Sequence, residues 1–307
     1  MASAGQQVGT PILAGCTEGL VGLAVSDMGV LVMTFLADPE INPENRWTLA
    51  FSRAVHVAFD AVETWLAENP RAPAALLTCS ASSKFTSNGI DPEWMQATAA
   101  AGDPHQELDD WNDVTMPAFA RPILLPIPTV MCIAGHCFGA GLMHALAHDY
   151  RLQNDSRGFL CAPEVAIGID IPPPELELFR HAMPVHSFHD TVLSAKRWSG
   201  PEAQGAGIVC QIHPPEKLWA ATLKFTEGLT KLGKGRKVMG SLKGRTKGHV
   251  ARGILEYCFY GPQSKGKPQA GPSELPGHGL AKLRDSVAAG PRGSGASVAA
   301  LLSNAKL

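Results

Sequence analysis

Four short apolar or β-branched runs punctuate the first half of the chain, at residues 20–25, 29–36, 74–79 and 129–134, each bounded by Gly, Pro or Asp. That length and bounding predict buried strands. Between the second and third runs, Leu49, Val55, Ala58, Phe59, Val62, Trp65 and Leu66 recur at intervals of three and four. The spacing predicts an amphipathic helix over 47–69, closed by Asn69-Pro70. Further on the pattern predicts a helix over 138–148, a short strand at 150–153, and helices at 174–183, 187–195, 201–205 and 215–232. Strands alternating with helices imply an α/β fold with a helical C-terminal part. No internal repeat is visible, and a Gly/Pro/Ser-rich stretch over 261–303 reads as linker. The expected organisation is a core over 1–200, a helical region over 201–260 and a flexible tail over 261–307.

Composition narrows the function classes. At 307 residues, 45% hydrophobic and 18% charged, the chain has the make-up of a globular protein, and its net charge of -2 gives nucleic acid no general footing. The apolar stretch at 11–37 is interrupted by Glu18, Asp27 and several glycines, so no membrane span is expected. Seven cysteines without a C-x-x-C pair favour a reducing setting. The first 45 residues lack a basic residue, so no secretory or transit leader is expected. At the other end, Ala305-Lys306-Leu307 is one conservative change from the Ser-Lys-Leu address read by the peroxisomal import receptor. The expected location is therefore the peroxisome matrix. One local charge cluster stands out: residues 231–252 carry eight Lys/Arg and no Asp or Glu.

Candidate chemistry concentrates in the stretch GHCFGAGLMHALAHDY, residues 135–150. His144 and His148 lie one helical turn apart, but Ala145 stands where a zinc protease would need Glu, and no third ligand suggests itself, so no metal is expected. Cys137 beside His136 is adjacency rather than a dyad. G-x-S-x-G, the P-loop and a strand-borne G-x-G-x-x-G are all missing. The glycines carry more. Residues 129–134 run into Gly135, and Gly139-Ala140-Gly141 opens a helix, whose first amides have no internal partner and face a positive dipole end. A second such turn, Ser87-Asn88-Gly89, follows the strand at 74–79 and precedes a helix starting at Asp91-Pro92. Two turns of this kind are what a two-amide oxyanion hole requires.

These stretches resemble a family. Residues 84–91 (KFTSNGID) resemble the first oxyanion motif of the enoyl-CoA hydratase/isomerase (crotonase) family, residues 128–149 its second, and GFLCAPEVAIGIDIPP at 158–173 its Pro-Glu stretch. The resemblance covers about residues 15–235 and is most similar to plant-type peroxisomal Δ3,Δ2-enoyl-CoA isomerases. It implies a crotonase fold of repeated ββα units, with the core over 1–200. It places the oxyanion donors on the backbone N–H of Ile90 and Ala140, with Ser87, Asn88, Gly89, Gly139, Gly141 and Met143 lining the substrate. Hydratases of the family carry two glutamates; here Met143 stands at the first place and Glu164 at the second. A lone Glu164 implies an isomerase that moves a proton from C2 to C4 of a 3-enoyl thioester. Its apolar neighbours predict a raised pKa.

The resemblance further implies a fatty acyl-CoA substrate, no cofactor beyond the CoA that arrives with it, and a homotrimer or hexamer. Residues 231–252 offer contacts to CoA phosphates, and Trp94 and Met95 are candidates for the acyl pocket. The rival readings are another crotonase chemistry (hydration, dienoyl isomerisation, thioester hydrolysis) and a non-catalytic acyl-CoA or RNA binder.

Overall fold

In the computed structural model, which describes residues 9–12, 19–100 and 104–260, the four apolar runs form strands, each within a residue of the expected span. The 261–307 tail, with its terminal tripeptide, lies outside the described residues. In chain order the elements are β1 (Thr10–Pro11), β2 (Val21–Val25), β3 (Val30–Phe35), α1 (Leu49–Glu68), β4 (Ala75–Ser80), β5 (Phe85–Ser87), α2 (Pro92–Ala100), α3 (Pro104–Leu124), β6 (Thr129–Ile133), β7 (His136–Phe138), α4 (Ala140–Ala147), β8 (Tyr150–Asn154), β9 (Leu160–Cys161) and α5 (Glu164–Ile167). Then come α6 (Pro173–Ala182), α7 (Val185–Ser194), α8 (Gly200–Gly205), β10 (Gln211–His213), α9 (Pro215–Leu229) and α10 (Arg236–Tyr260).

The large sheet has the order β1-β2-β3-β4-β6-β8-β10, antiparallel from β1 to β3 and parallel from β3 onward. A small parallel sheet, β5-β7-β9, lies beside it. Each of β4, β6 and β8 hands the chain to a small-sheet strand and then to a helix, so the ββα unit recurs three times. Because neighbouring units pair in both sheets, the turns after β5, β7 and β9 are brought side by side. This is how three stretches up to about 80 residues apart come to share one site.

The sequence pattern missed the three short strands of the small sheet, whose two- and three-residue lengths leave no period to read. It also missed α3 and α10. Helix α3 contains Pro117 and Pro122, each of which removes a backbone donor, yet Met116, Phe119 and Ile123 are buried and hold it in register. Helix α10 carries Gly240, Gly244, Gly248 and Gly253, poor helix formers that only tertiary packing offsets. Its buried residues Val250, Ala251, Ile254 and Leu255 belong to the same core as α3 and α6. That core centres on Phe35, Trp47, Phe51, Phe59 and Phe119, with Trp47 edge-on to Phe51 and to Phe119 at 5.2 Å between centroids. Among the described residues no helix is long and apolar enough to cross a membrane.

Four of the eight cations of 231–252 have structural partners. Lys243, with its side chain 6% exposed, donates to the carbonyls of Pro122 and Ile127 and to Asp149 Oδ2 at 2.9 Å, and Lys247 pairs with the other oxygen of Asp149. Asp149 also accepts from the N–H and hydroxyl of Thr129. Arg236 donates to carbonyls of Leu66 and Asn69, and Arg252 pairs with Glu256. The two lysines hold the Asp149 carboxyl well below the usual carboxylate range, while burial pushes Lys243 down to about 8 against the pull of Asp149.

Asp149→Asn is expected to destabilise the fold by about 3 kcal/mol at neutral pH, since it leaves a buried ammonium without its counter-charge. A carboxyl with a depressed folded pKa contributes stability above its unfolded value of about 4 and loses it below. Urea unfolding of both proteins should therefore show a gap at pH 7 that narrows as pH falls below about 4; a gap that persists in acid would contradict the charge-pair account.

Candidate active site

The first turn, Ser87-Asn88-Gly89-Ile90, is clamped by residues 44–47. The N–H of Asn88 donates to Glu44 O at 2.9 Å and that of Trp47 to Gly89 O at 2.9 Å. Arg46 Nη1 donates to Ile90 O at 2.7 Å and Asn88 O at 3.3 Å. The Asn88 amide reaches Glu44 Oε2 at 2.9 Å, and the buried Ser87 hydroxyl donates to Asn45 O at 2.7 Å. Gly89 sits at φ +75°, where a side chain would be strained. With the carbonyls of 88, 89 and 90 all engaged by this clamp, the N–H of Ile90 has no acceptor among the described residues. Sequence reasoning missed Glu44 and Arg46, which lie forty residues upstream and match no local pattern.

The second turn follows β7. Gly139, at φ 50° and ψ -121°, caps α4 with no side-chain bond, so Ala140 opens the helix with its N–H unpaired among the described residues. A Cβ on Gly89 would lie 3.0 Å from Phe138 O and 3.8 Å from Ala140 N, and one on Gly141 would lie 2.7 Å from Ser87 Cβ. The two turns thus meet backbone to backbone, and the glycines are what let them approach.

Glu164 completes the group. It is the first residue of α5, set there because β9 pairs with β7, and Gly139 N donates to Cys161 O at 2.9 Å. A Cβ on Gly139 would be 3.0 Å from Glu164 Oε1. Glu164 is 8% exposed, and its Oε2 has no protein partner among the described residues. Burial raises its pKa to about 7, against a smaller lowering by its own backbone N–H. Met143, 6% exposed and one turn into α4, adds an apolar side chain. A carboxylate poised near neutrality beside two free amides can remove a weakly acidic proton while the amides hold the resulting oxyanion.

The histidines and Cys137 have structural surroundings. His148 uses both ring nitrogens, Nδ1 with His144 O and Nε2 with Thr78 Oγ1, both at 2.9 Å. His144 is enclosed by Trp47, Phe35, Phe59 and Phe119. Among the described residues no three His, Cys, Asp or Glu side chains group as metal ligands. Cys137 is buried, its thiol pushed above the usual range by desolvation. Trp94 stacks against Trp111 at 6.3 Å, half-buried against the core. A cavity of about 380 Å³ lined by Asp149, Arg151, His181, Lys243 and Lys247 opens at the N-terminal ends of β6 and β8, and none of the residues of the two turns lines it.

Stacked ββα units whose turns present paired amides beside a carboxyl define a crotonase-type protein. Solved structures agree on the fold. A probable enoyl-CoA hydratase from Mycobacterium tuberculosis superposes with a TM-score of 0.67 at 20% identity, covering 78% of this chain and 93% of that one. An enoyl-CoA hydratase/isomerase family protein from Pseudomonas syringae does so with a TM-score of 0.68 at 18% identity, over 79% and 96%. Residues 27–249 match the enoyl-CoA hydratase/isomerase family, and the chain belongs to it.

Among curated relatives, the peroxisomal enoyl-CoA delta isomerase 2 of Arabidopsis thaliana is 36% identical over 140 residues, 44% of this chain and 57% of that protein. Enoyl-CoA delta isomerase 3 of the same plant is 34% identical over 134 residues, 41% and 52%. The matched region thus spans a little over half the length of these relatives.

A carboxyl whose folded pKa is raised opposes folding once pH exceeds its unfolded value. Glu164→Gln is therefore expected to stabilise the protein by up to about 3 kcal/mol at pH 8, with the gain vanishing below about pH 4, where both states are neutral. Thermal or urea unfolding across that range checks it, and an equal gain at all pH values would mean that Glu164 is not a buried titrating group.

Proposed function

We propose that the chain is a Δ3,Δ2-enoyl-CoA isomerase, carried by one observation: a near-neutral carboxylate, Glu164, lies against Gly139, next to two turns whose Ile90 and Ala140 amides are unpaired among the described residues. The thioester oxygen of a 3-enoyl-CoA accepts from the N–H groups of Ile90 and Ala140. Glu164 takes a proton from C2, the electrons pass into the thioester as a dienolate, and the same carboxyl returns the proton at C4. The double bond moves from C3–C4 to C2–C3, and Glu164 ends as it began. Each amide contributes on the order of a hundred- to a thousandfold, and the positioned base a further hundred- to ten-thousandfold. The names of the Arabidopsis relatives support the same reaction class.

In this proposal Ser87, Asn88, Gly89, Gly139 and Gly141 shape the thioester seat, and Met143 lines the acyl side where a hydratase would position water. The reaction needs no metal or redox cofactor, since the oxyanion is held by amides and the CoA arrives with the substrate. The protein works in the peroxisome matrix in the β-oxidation of unsaturated fatty acids, delivered by Ala305-Lys306-Leu307 to the import receptor, and assembles as a homotrimer or a pair of trimers. Two relatives bear the word peroxisomal in their names, which supports the location. Arg236, Lys243, Lys247 and Arg252 have structural partners, so contacts of the 231–252 run with the CoA phosphates fall to its other four cations.

Conversion of a trans-3-enoyl-CoA to the conjugated 2-enoyl-CoA, followed by ultraviolet absorbance, is expected for the wild type and lost in Glu164→Gln. Ala140→Pro removes one donor at the first helical position, where proline is tolerated, and is expected to lower kcat about a hundred- to a thousandfold with the helix intact. Hydration of the 2-enoyl product, measured alongside, should be minor. A folded wild type that hydrates but does not isomerise would reverse the assignment.

A further inference from the structure

The cavity of about 380 Å³ lies at the opposite end of α4 from the Ala140 amide. Helix α4, eight residues long, puts roughly 12 Å between the two. The cavity opens at the N-terminal ends of β6 and β8, and α6 and α10 contribute His181, Met239, Lys243 and Lys247 to its walls beside Asp149 and Arg151.

Its charges do not balance. Three cations line it: Arg151, 7% exposed, and Lys243 and Lys247, whose side chains are 6% and 11% exposed. Asp149 is the one carboxylate in the lining, and each lysine pairs with one of its oxygens. Arg151 forms no ion pair among the described residues. Its Nε donates to Ile208 O at 2.8 Å and its Nη1 to His148 O at 2.9 Å, and its Nη2 has no acceptor among the described residues. Lys243 uses all three of its N–H groups on Pro122 O, Ile127 O and Asp149. Lys247 uses two, on Asp149 and on Ala147 O at 3.3 Å, which leaves one free.

Nothing else in the lining supplies the missing charge. The carbonyls that end α4 carry only partial charge. His148 has both ring nitrogens engaged, and His181 stacks on His249. Three cations against one carboxylate leave two positive charges unmatched, at positions with little access to water, where such charges are costly.

We propose that this cavity is an anion site that takes a phosphate group, free or on a small phosphomonoester, held by Arg151 Nη2 and Lys247 Nζ. A phosphate carries close to two negative charges near neutrality, and its oxygens accept what the two free donors offer. The volume falls near the lower end of the range for small-molecule pockets, roughly 300–1,000 Å³. Pro128, Leu146, Leu232 and Met239 give a short organic group an apolar wall beside the phosphate. Burial holds Arg151, Lys243 and Lys247 all below their ordinary proton affinities in spite of Asp149, as expected of cations short of a counter-charge. The site is separate from the thioester seat and does not depend on the isomerase reading.

Calorimetric titration of the full-length protein with inorganic phosphate, at an ionic strength held constant with chloride, is expected to show saturable binding. Glycerol 3-phosphate in the same titration separates the two sources: tighter binding than inorganic phosphate assigns the cavity to a phosphomonoester, and equal or weaker binding assigns it to free phosphate. Lys247→Met leaves Asp149 paired with Lys243 and is expected to weaken phosphate binding roughly tenfold or more. Met239→Glu brings a carboxylate into the lining from a half-buried position, and tests the charge account even if Lys247→Met does not fold. It should abolish phosphate binding and raise the unfolding midpoint in phosphate-free buffer.

A wild type that shows no saturable binding overturns the proposal, as does unchanged affinity in Met239→Glu. A Met239→Glu protein less stable than the wild type shows that the cavity needs no further negative charge, and overturns it too. Thermal stabilisation by phosphate that is equal in all three proteins is a general salt effect and counts the same way.

Discussion

The site depends on a backbone-to-backbone contact between two turns. Gly89 leaves the chain of the first turn within 3.8 Å of the Ala140 nitrogen when extended by a single carbon, and Gly141 admits Ser87 where a methyl group would collide. Two free amides converge only if the segments bearing them approach more closely than side chains allow. Everything upstream serves that approach: the pairing of β5 with β7, the clamp of residues 44–47 on the first turn, and the unpaired opening of α4 at the second. The fold delivers donors whose carbonyl neighbours are already engaged, so their direction is set before a ligand arrives, which is the condition for electrostatic stabilisation without reorganisation.

The same closeness explains the chemistry of Glu164. Setting the carboxyl against Gly139 and under α4 removes it from water, and the loss of hydration raises its proton affinity into the range where it can both take and give a proton. Such a group opposes folding at physiological pH, so the stability has to come from elsewhere. It comes from the aromatic core around Trp47 and from α10, which seals the far side. A site that exacts stability while the scaffold supplies it is the usual division between function and fold.

Helix α10 shows how a charge run can mislead. Eight cations without an acid suggest a surface for anions, yet four of them end on Asp149, Glu256 or buried carbonyls. The run ties the C-terminal helix to the N-terminal ends of β6 and β8, on the side of the sheet away from the two turns. Lys243 and Lys247 read a single carboxylate together, and Asp149 in turn holds the first residue of β6.

What the sequence determined by itself was local. Apolar runs of strand length, the three-and-four spacing of α1, and the glycine pairs at 89 and 139–141 are each legible within a dozen residues, because period and backbone freedom are properties of neighbours. Glu164 was legible through its motif and through its apolar flanks. The tertiary structure decided the rest. Pro117 and Pro122 disguise α3, four glycines disguise α10, and both helices exist because they pack on each other, α3 also on α1 and α10 also on α6, an energy no local propensity contains. Arg46 and Glu44 join the site across forty residues. Distances between segments follow from strand pairing and close packing, and these bring together groups that the linear order keeps apart.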